Sequence, residues 1–557
     1  MSVNRLFVLI FLLAVFCLPP FYLTYAEILS GTGLNYSSAT TAELLNPINK
    51  SFDNSLPDKQ KKTAGLILER VGKQDYFDTP RGHFRVHYDT TGDHAVYQAG
   101  IDENPADGHP DYVNRCGDYL EDAWSLFDSL GFTPPPDDGY SGGGDNLYDV
   151  YMHHNSGLYG VTYPDGRSYQ YPGRNNSYKS YMHIDADFEG MGYPDRTVPL
   201  KITSVHEYFH AIQFGYNLFA DSWFMECCAS WAEDVLYDEI NDNYRFLPFF
   251  FNYPHKSHRL VNSGRENGLF VWLKYLEANY GIQSVGEIWE LNTNRNTDEA
   301  IDLYFQQNHG SLFRDVYRDF ELWNYFTGSR DDGGHYEEGS NYPLVHIMQN
   351  HRDYPVNLRE CDDWIAGLGC TYTKFGELSE FRGELRFELF SESNLEWALD
   401  AIIFESEGET RYESSLSNTQ GYGVISIDLS TPVDNAVICV TLLNTTGPVG
   451  YTYSAFIDDT TGVKDGDKPQ IPTLLSLGNY PNPFNGRTNI RFQLARTDFI
   501  ELAIYNLKGE IVEKIGRVYP AGHNSVNWRP RNIPSGLYYY KISASSVSGR
   551  GKMLFLK

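Results

Sequence analysis

Two histidines and one glutamate stand close enough in the sequence to bind and use a single metal ion. His206, Glu207 and His210 form the pattern His-Glu-x-x-His. In a helix, residues four apart lie on one face, so both imidazoles can reach the same ion. Glu207 then points towards a water molecule on that ion and can act as general base. The spacing predicts a helix that carries a catalytic metal site.

A catalytic zinc site takes three protein ligands and keeps one position open. The best third ligand is Glu226, which lies in a second helical pattern over residues 223–234. Residues 215–222 between the two patterns indicate a helix end, a loop and an N-cap at Asp221 or Ser222. Thiolate ligation by the neighbouring cysteines is the alternative, but zinc with this base rarely needs it. Two packed helices can therefore present all three ligands.

This arrangement resembles the zincin metallopeptidases of the glutamate type, in which a Glu on the helix after His-Glu-x-x-His completes the metal site. The resemblance implies Zn²⁺ held by His206, His210 and Glu226, with Glu207 as general base and a protein or peptide as substrate. It also implies an α+β catalytic domain with a strand that binds extended peptide. By that resemblance Tyr181–Asp185 is the candidate substrate strand, with an ordinary core strand as the alternative.

Two features depart from the family pattern. Residues 211–225, fifteen in all, separate the second histidine from Glu226, which is a short interval for this group. Ser230 stands where some members carry an acid that orients the first histidine. Glu233 or Asp234 can supply that orienting acid instead. Later in the chain, Tyr244, His255 and His258 are candidates for stabilising an oxyanion, although each alone is more often a surface residue.

The length of 557 residues predicts two to four domains, because it exceeds what one hydrophobic core supports. Residues 1–26 combine Arg5, an apolar run and small residues, as is typical of a secretory signal peptide; an uncleaved anchor is the alternative. Their removal leaves 43 basic and 73 acidic side chains, which disfavours nucleic acid binding. No later stretch is apolar and long enough to cross a bilayer.

An exported chain permits disulfides. Cys361 and Cys370 are close enough in sequence to close a small loop. Cys116 is expected to meet Cys227 or Cys228 if its predicted helix, residues 112–130, packs beside the metal helices.

The residues from 102 to 113 alternate oxygen-bearing side chains around a glycine. This stretch resembles the calcium loops of secreted bacterial proteins. The candidate Ca²⁺ ligands are Asp102, Asn104, Asp107 and Asp111. The Asp-Gly pair falls one position late for a regular loop, so a metal-free turn is the alternative.

The chain divides into successive segments by pattern. Residues 27–75 are polar and are expected to be an N-terminal extension or pro-segment, and residues 76–370 the zincin-like domain. Alternating hydrophobicity predicts a β-sandwich over residues 371–458. A polar linker follows at 459–473.

The order of motifs over residues 474–557, beginning with Asn479-Tyr480-Pro481-Asn482-Pro483, resembles the C-terminal sorting domain of the type IX secretion pathway. The resemblance implies contact with outer-membrane secretion machinery and export to the cell surface or medium. A generic immunoglobulin-like module is the alternative.

Together these features predict an α+β protein, in which a zincin-like catalytic domain precedes two all-β, immunoglobulin-like sandwiches. The function expected from them is that of a secreted zinc metalloendopeptidase. The rival is a surface adhesin or glycan-binding protein with an inactive zincin-like domain.

Overall fold

The computed structural model describes residues 70–139, 145–155, 157–261, 263–392, 394–419, 421–444, 447–459, 474–494, 498–519, 522–531, 533–543 and 548–557. The expected signal peptide, nearly all of the expected N-terminal extension and nearly all of the linker lie outside these residues. The chain forms two compact units, each with mixed or all-β structure. The first takes in residues up to 249 together with 259–310, and the second takes in 250–258 and 311–557.

The first unit is built on one five-stranded sheet. Its strands are β1 (Asp75–Asp78), β2 (Phe84–Tyr88), β3 (Tyr148–Met152), β4 (Gly160–Arg167) and β5 (Tyr178–Ile184). They lie in the order β1-β2-β3-β5-β4. The three central strands run parallel, whereas β1 and β4 run antiparallel to their neighbours. The central strands β3 and β5 are buried along most of their length, as is usual for parallel strands covered on both faces.

Helices cover this sheet and fill the rest of the unit. They are α1 (Asp111–Ser129), α2 (Thr197–Asn217), α3 (Ser222–Leu236), α4 (Leu247–Phe251, which continues into the second unit), α5 (Arg265–Gly268), α6 (Phe270–Tyr280), α7 (Gln283–Asn292) and α8 (Thr297–His309). The predicted helix over 112–130 is confirmed as α1. Helix α2 packs against α1, α3, β4 and β5. It is buried on nearly every side, so that even its polar side chains lie away from water.

The position of β5 contradicts the expected substrate strand. Tyr181–Asp185 belongs to β5 and the residue after it, and β5 is hydrogen-bonded to β3 on one side and β4 on the other. Both edges of β5 are therefore occupied, so it cannot accept an added peptide strand. Alternating residues predict a strand but not its place in the sheet. The strand at the end of the sheet beside α2 is β4.

The second unit begins with α9 (Phe313–Trp323) and continues as β structure. Its first nine strands are β6 (Ile347–His351), β7 (Val356–Glu360), β8 (Cys370–Gly376), β9 (Gly383–Phe390), β10 (Trp397–Glu405), β11 (Thr410–Leu416), β12 (Tyr422–Asp428), β13 (Val433–Leu442) and β14 (Thr452–Asp459). Sheets β11-β10-β13-β8-β6 and β12-β9-β14-β7 enclose one apolar core around Phe387, Trp397 and Tyr453. The sandwich thus takes in two strands that precede residue 371.

The last seven strands form two further sheets. They are β15 (Leu474–Tyr480), β16 (Thr488–Leu494), β17 (Asp498–Tyr505), β18 (Ile511–Tyr519), β19 (Gly522–Trp528), β20 (Gly536–Ser543) and β21 (Ser548–Phe555). Sheets β15-β16-β19 and β18-β17-β20-β21 share a core that includes Phe492, Trp528 and Tyr540. Inward-facing residues alternate along β16, as a two-sheet sandwich requires.

Neither expected disulfide is present among the described cysteines, all of which are free thiols. The Cys227 thiol donates to the Leu269 carbonyl at 3.2 Å, and the Cys361 thiol donates to the Asp363 carbonyl at 3.0 Å. Within the described part of the chain, no helix has both the length and the apolarity to span a membrane.

A partly buried cation contacts three strands of the first sheet. The Arg70 guanidinium donates to Asp138 and Asp165 at 2.7 Å each, and also to Asp149 of β3. It lies 4.8 Å from the ring centroid of Tyr181 on β5. Burial and a hydrogen bond with Asp149 raise the pKa of Asp138 to about 7, against the opposing pull of Arg70.

Arg70→Met is expected to lower the free energy of unfolding by about 3–5 kcal/mol at pH 8, because it leaves buried carboxylates without a cation. Urea denaturation measures the change. Arg81→Met is the control, since Arg81 pairs with Asp122 while both side chains are about half exposed, and it is expected to cost less than about 1 kcal/mol. The Arg70 effect is expected to shrink at pH 5, where Asp138 is protonated. Equal effects of the two substitutions would contradict this role.

Candidate metal centre

The metal-binding pattern lies on two adjoining helices. His206 and His210 are on α2, and Glu226 is on α3. The predicted helix end is confirmed close to Gly215, since α2 ends at Asn217, but Gly215 is not the closing residue. Gly215 instead allows close packing, because a Cβ there would lie 3.0 Å from Pro136 Cδ. Helix α3 begins at Ser222, with Asp221 at the N-cap position as expected.

Three ligand atoms converge at this site. His206 Nε2 and His210 Nε2 lie 3.1 Å apart. The Glu226 carboxylate lies 3.5 Å from His206 Nε2 and 3.6 Å from His210 Nε2. Glu226 and His210 are fully buried, and His206 is partly exposed. The two helices therefore bring together the three residues proposed from the sequence.

A carboxylate orients the first imidazole. His206 Nδ1 lies 2.6 Å from Glu233 Oε1, so Nδ1 carries the hydrogen and donates it. Glu233 is itself nearly buried, and burial raises its pKa although His206 opposes the shift. Asp234, the other candidate for this place, lies in a different network. Its carboxylate pairs with Lys274 Nζ at 2.9 Å and accepts from Asn243 Nδ2 at 3.2 Å.

A neutral amide orients the second imidazole. His210 Nδ1 lies 2.7 Å from Gln213 Oε1. Gln213 Nε2 in turn donates to the Met225 carbonyl at 2.9 Å. Gln213 was not predicted from the sequence. Its spacing of three residues from His210, which places both side chains on one helix face, was the available signal.

The hydrogen bonds of Glu233 and Gln213 to the two imidazoles leave the site suited to a metal ion. With both Nδ1 atoms protonated, two bare Nε2 lone pairs and a carboxylate face one another at 3.1–3.6 Å. Such donors repel one another unless a positive charge lies among them. Without a metal ion, a proton on His206 supplies this positive charge: although burial lowers it, hydrogen bonds to Glu226 and Glu233 raise the pKa of His206 well above its usual value. Burial lowers the pKa of His210 to about 4. The chemistry of two imidazoles and a carboxylate fits zinc.

The third ligand is held by a residue from a distant segment. Asn267 Nδ2, on the short helix α5, donates to Glu226 Oε2 at 3.2 Å and to Ser230 Oγ at 3.1 Å. Ser230 therefore accepts a hydrogen bond from the amide that holds Glu226. It does not replace the orienting acid that some zincins carry at this position. Asn267 follows Glu226 by 41 residues, so nothing local in the sequence indicates this contact.

Glu207 lies between α2 and the end strand of the sheet. Thr162 Oγ1 on β4 donates to Glu207 Oε2 at 2.8 Å and also lies 2.9 Å from its backbone carbonyl. A Cβ at Gly160 would lie 2.7 Å from Glu207 Cγ and 2.6 Å from Thr203 Cγ2. Only glycine permits this approach, so β4 fixes the carboxylate of the proposed general base.

In the expected calcium loop, the carboxylates of Asp102 and Asp111 accept hydrogen bonds from backbone N–H groups of the same loop. Asp102 accepts from the backbone N–H groups of Asp107 and Gly108 at 3.0 Å each. Asp111 accepts from the N–H groups of Glu103 at 2.8 Å and Asn104 at 3.0 Å, and these bonds lower the pKa of Asp111. Such bonds stabilise the loop without a cation. Calcium binding there stays a prediction.

The expected oxyanion residues fall in different places. His258 is buried against Phe313 and Tyr317 in the second unit. His255 Nδ1 lies 3.4 Å from Asp363 in the same unit. Tyr244 lies in the 3₁₀ helix Asn241–Phe246 of the first unit.

Residues 479–555 match the family model of a secretion system C-terminal sorting domain. This match confirms the sorting domain expected from the sequence. The protein is therefore a multi-domain, β-rich chain that is exported through type IX secretion machinery to the cell surface or the medium. No curated protein matches the chain.

Among solved structures, similarity is very low. A candidate beta-galactosidase from Bacteroides fragilis is 11% identical with a TM-score of 0.18, over 40% of this chain and 38% of that one. A b-glucuronidase from Ruminococcus gnavus in complex with uronic isofagomine is 10% identical with a TM-score of 0.17, over 35% and 36%. Dimeric latent PorU from Porphyromonas gingivalis is 10% identical with a TM-score of 0.15, over 34% and 32%. The chain spans less than two fifths of each, and such scores support no inference about activity.

Chelator-stripped protein is expected to melt roughly 5–10 °C higher after addition of Zn²⁺ at about a hundred times its Kd, because binding to the folded state adds about 2.7 kcal/mol. Glu226→Gln is expected to remove most of that shift. Glu287→Gln, an exposed acid on α7, is the control and is expected to keep it. Differential scanning calorimetry measures both. The same shift in the Glu226 variant would exclude Glu226 as a ligand.

Proposed function

We propose that this exported protein is a zinc metalloendopeptidase of the zincin type. The observation that carries the proposal is the convergence of His206 Nε2, His210 Nε2 and the Glu226 carboxylate, with Glu207 on the same helix. The parallel sheet with an antiparallel end strand packed beside that helix supports the zincin resemblance. The resemblance supplies the reaction class, and the geometry supports it.

A zinc ion held by these three residues supplies Lewis acidity, which polarises a carbonyl and lowers the pKa of water from about 15.7 towards 7. Glu207 is the proton carrier. Thr162 donates to Oε2 of this carboxylate and so holds it in place while it takes a proton from the attacking water and passes the proton to the leaving amine. Glu233 and Gln213 keep the imidazoles in one tautomer throughout.

Strand β4 is the proposed binding edge for the substrate. It ends the sheet, and its first residue, Gly160, lies against Glu207. An extended peptide can add to such an edge through backbone hydrogen bonds, which are indifferent to side-chain identity. The scissile bond would then lie beside the general base. The proposed substrate is therefore an extended or unfolded stretch of protein.

The rival function is that of a surface adhesin or glycan-binding protein. It draws support from the two β-sandwich modules and from Trp364 in the second unit, whose side chain is 63% exposed. Exposed aromatic rings of this kind are suited to recognition. Zinc binding without any cleavage of unfolded protein would favour this rival.

Glu207→Gln is expected to lower kcat for casein digestion about 10²–10⁴-fold, because the amide cannot take up a proton. Zinc content, measured by elemental analysis, is expected to stay at about one per chain. Inhibition of the wild type by 1,10-phenanthroline is the companion test.

His206→Ala is expected to lose both zinc and activity. This result would distinguish His206, a metal ligand, from Glu207, the general base, whose replacement leaves zinc bound. Wild-type activity in the Glu207 variant would rule out its assignment as general base.

A further inference from the structure

A buried glutamine links the two helices that carry the metal ligands. Gln213 lies on α2 and is fully buried. Both polar atoms of its side chain are engaged, Oε1 with His210 Nδ1 at 2.7 Å and Nε2 with the Met225 carbonyl at 2.9 Å. A buried amide with both ends satisfied has one orientation available.

That orientation determines the tautomer of His210. The Met225 carbonyl can only accept a hydrogen bond, so the NH₂ group of Gln213 must face it. The Oε1 atom therefore faces His210, and an oxygen can only accept from Nδ1–H. The proton of the neutral imidazole is thus on Nδ1, which leaves Nε2 free as a ligand atom. A backbone carbonyl on α3 in this way fixes a histidine on α2.

The same side chain also fixes the register between the helices. Met225 immediately precedes Glu226, so the Nε2 bond attaches α3 at the residue next to the third ligand. Rotation or sliding of α3 against α2 would break this bond. One amide therefore couples the orientation of the second ligand to the position of the third.

We infer that Gln213 is the positioning residue of the metal centre, and that its two hydrogen bonds set the imidazole of His210 and the place of Glu226 together. The inference rests on the proposed function, because it presumes that zinc occupies the site. It assigns a different kind of support to each histidine: Glu233 gives His206 a carboxylate partner, whereas Gln213 gives His210 a neutral one.

The test uses the full-length protein, stripped of metal, with three variants. Gln213→Met keeps the length of the side chain and removes both hydrogen bonds. Gln213→Glu keeps an oxygen acceptor for His210. Asn217→Leu is the matched control: it removes a buried amide from the same helix, where Asn217 Nδ2 donates to the Asn292 carbonyl at 2.7 Å and contacts no ligand.

The first readout is the Kd for Zn²⁺, obtained by competition with a chromophoric chelator. Gln213→Met is expected to raise Kd 10- to 100-fold, as loss of a ligand's outer partner typically does. Gln213→Glu keeps the acceptor for His210 but has no donor for the Met225 carbonyl, so it is expected to recover only part of that loss. Asn217→Leu is expected to change Kd by less than about threefold. The same Kd in the wild type and in Gln213→Met would overturn the inference.

The second readout is proton NMR of the Co²⁺-loaded protein, in which imidazole Nδ1–H protons are shifted away from other signals. The wild type is expected to show two such protons in slow exchange with water. Gln213→Met is expected to speed the exchange of one of them, and Asn217→Leu of neither. A general loss of stability would not single out one proton. Two unchanged signals in the Met variant would overturn the inference.

The outcomes separate the two proposals. A wild-type protein that binds no zinc would overturn the proposed function. A Kd for Zn²⁺ that does not change when Gln213 is replaced would overturn only this inference. If Gln213→Met does not fold, Gln213→Glu decides alone. The inference then requires two protected protons in the Glu variant, and loss of the second would overturn it.

Discussion

The candidate centre depends on where two imidazole hydrogens lie. Each histidine has an acceptor at Nδ1, a carboxylate for His206 and an amide oxygen for His210, and each therefore presents a bare Nε2 to the other. Two lone pairs held 3.1 Å apart beside a buried carboxylate repel one another, and a cation between them would remove that repulsion. The packing of α2 against α3 keeps these groups in place, because the Nδ1 acceptors lie on the same two helices as the proposed metal ligands.

The surroundings of the site hold these groups rigidly. Helix α2 is buried on nearly every side, and Phe209 packs against Phe127, Phe132 and Trp231. Rigid support lowers the cost of keeping polar groups in one arrangement away from water. Beside them, β4 approaches so closely that its first residue has room for no side-chain carbon. The sheet and the helix thus meet at the one side chain with a proposed role in proton transfer.

Local spacing predicted part of this site, and only part. A spacing of four positions places two histidines on a common helix face whatever surrounds them. Helical periodicity also favours Glu233 over Asp234 as the acid that orients His206, because Glu233 lies two helical turns after Glu226 and on the same face of α3. Asn267 could not be found this way, since it reaches the site from 41 residues further along the chain.

Tertiary context decided the remaining points. The strand pattern of Tyr181–Asp185 was right, but only the sheet order shows that both its edges are taken. The helix end predicted from Gly215 onward falls at Asn217, and only the packing shows that Gly215 itself makes room for Pro136. Sequence motifs sufficed for the sorting domain, because its identity is carried by their order along the chain.

The contacts of Arg70 bear on how the chain matures. This residue falls inside the stretch expected to be an N-terminal extension, yet its guanidinium is shared among carboxylates of the first unit. Trimming that stops upstream of Arg70 leaves these charges balanced. Trimming that passes it removes the cation and leaves the acids behind in a buried place. Arg70 therefore belongs to the folded first unit, several positions before residue 76, where the sequence pattern placed the start of the domain.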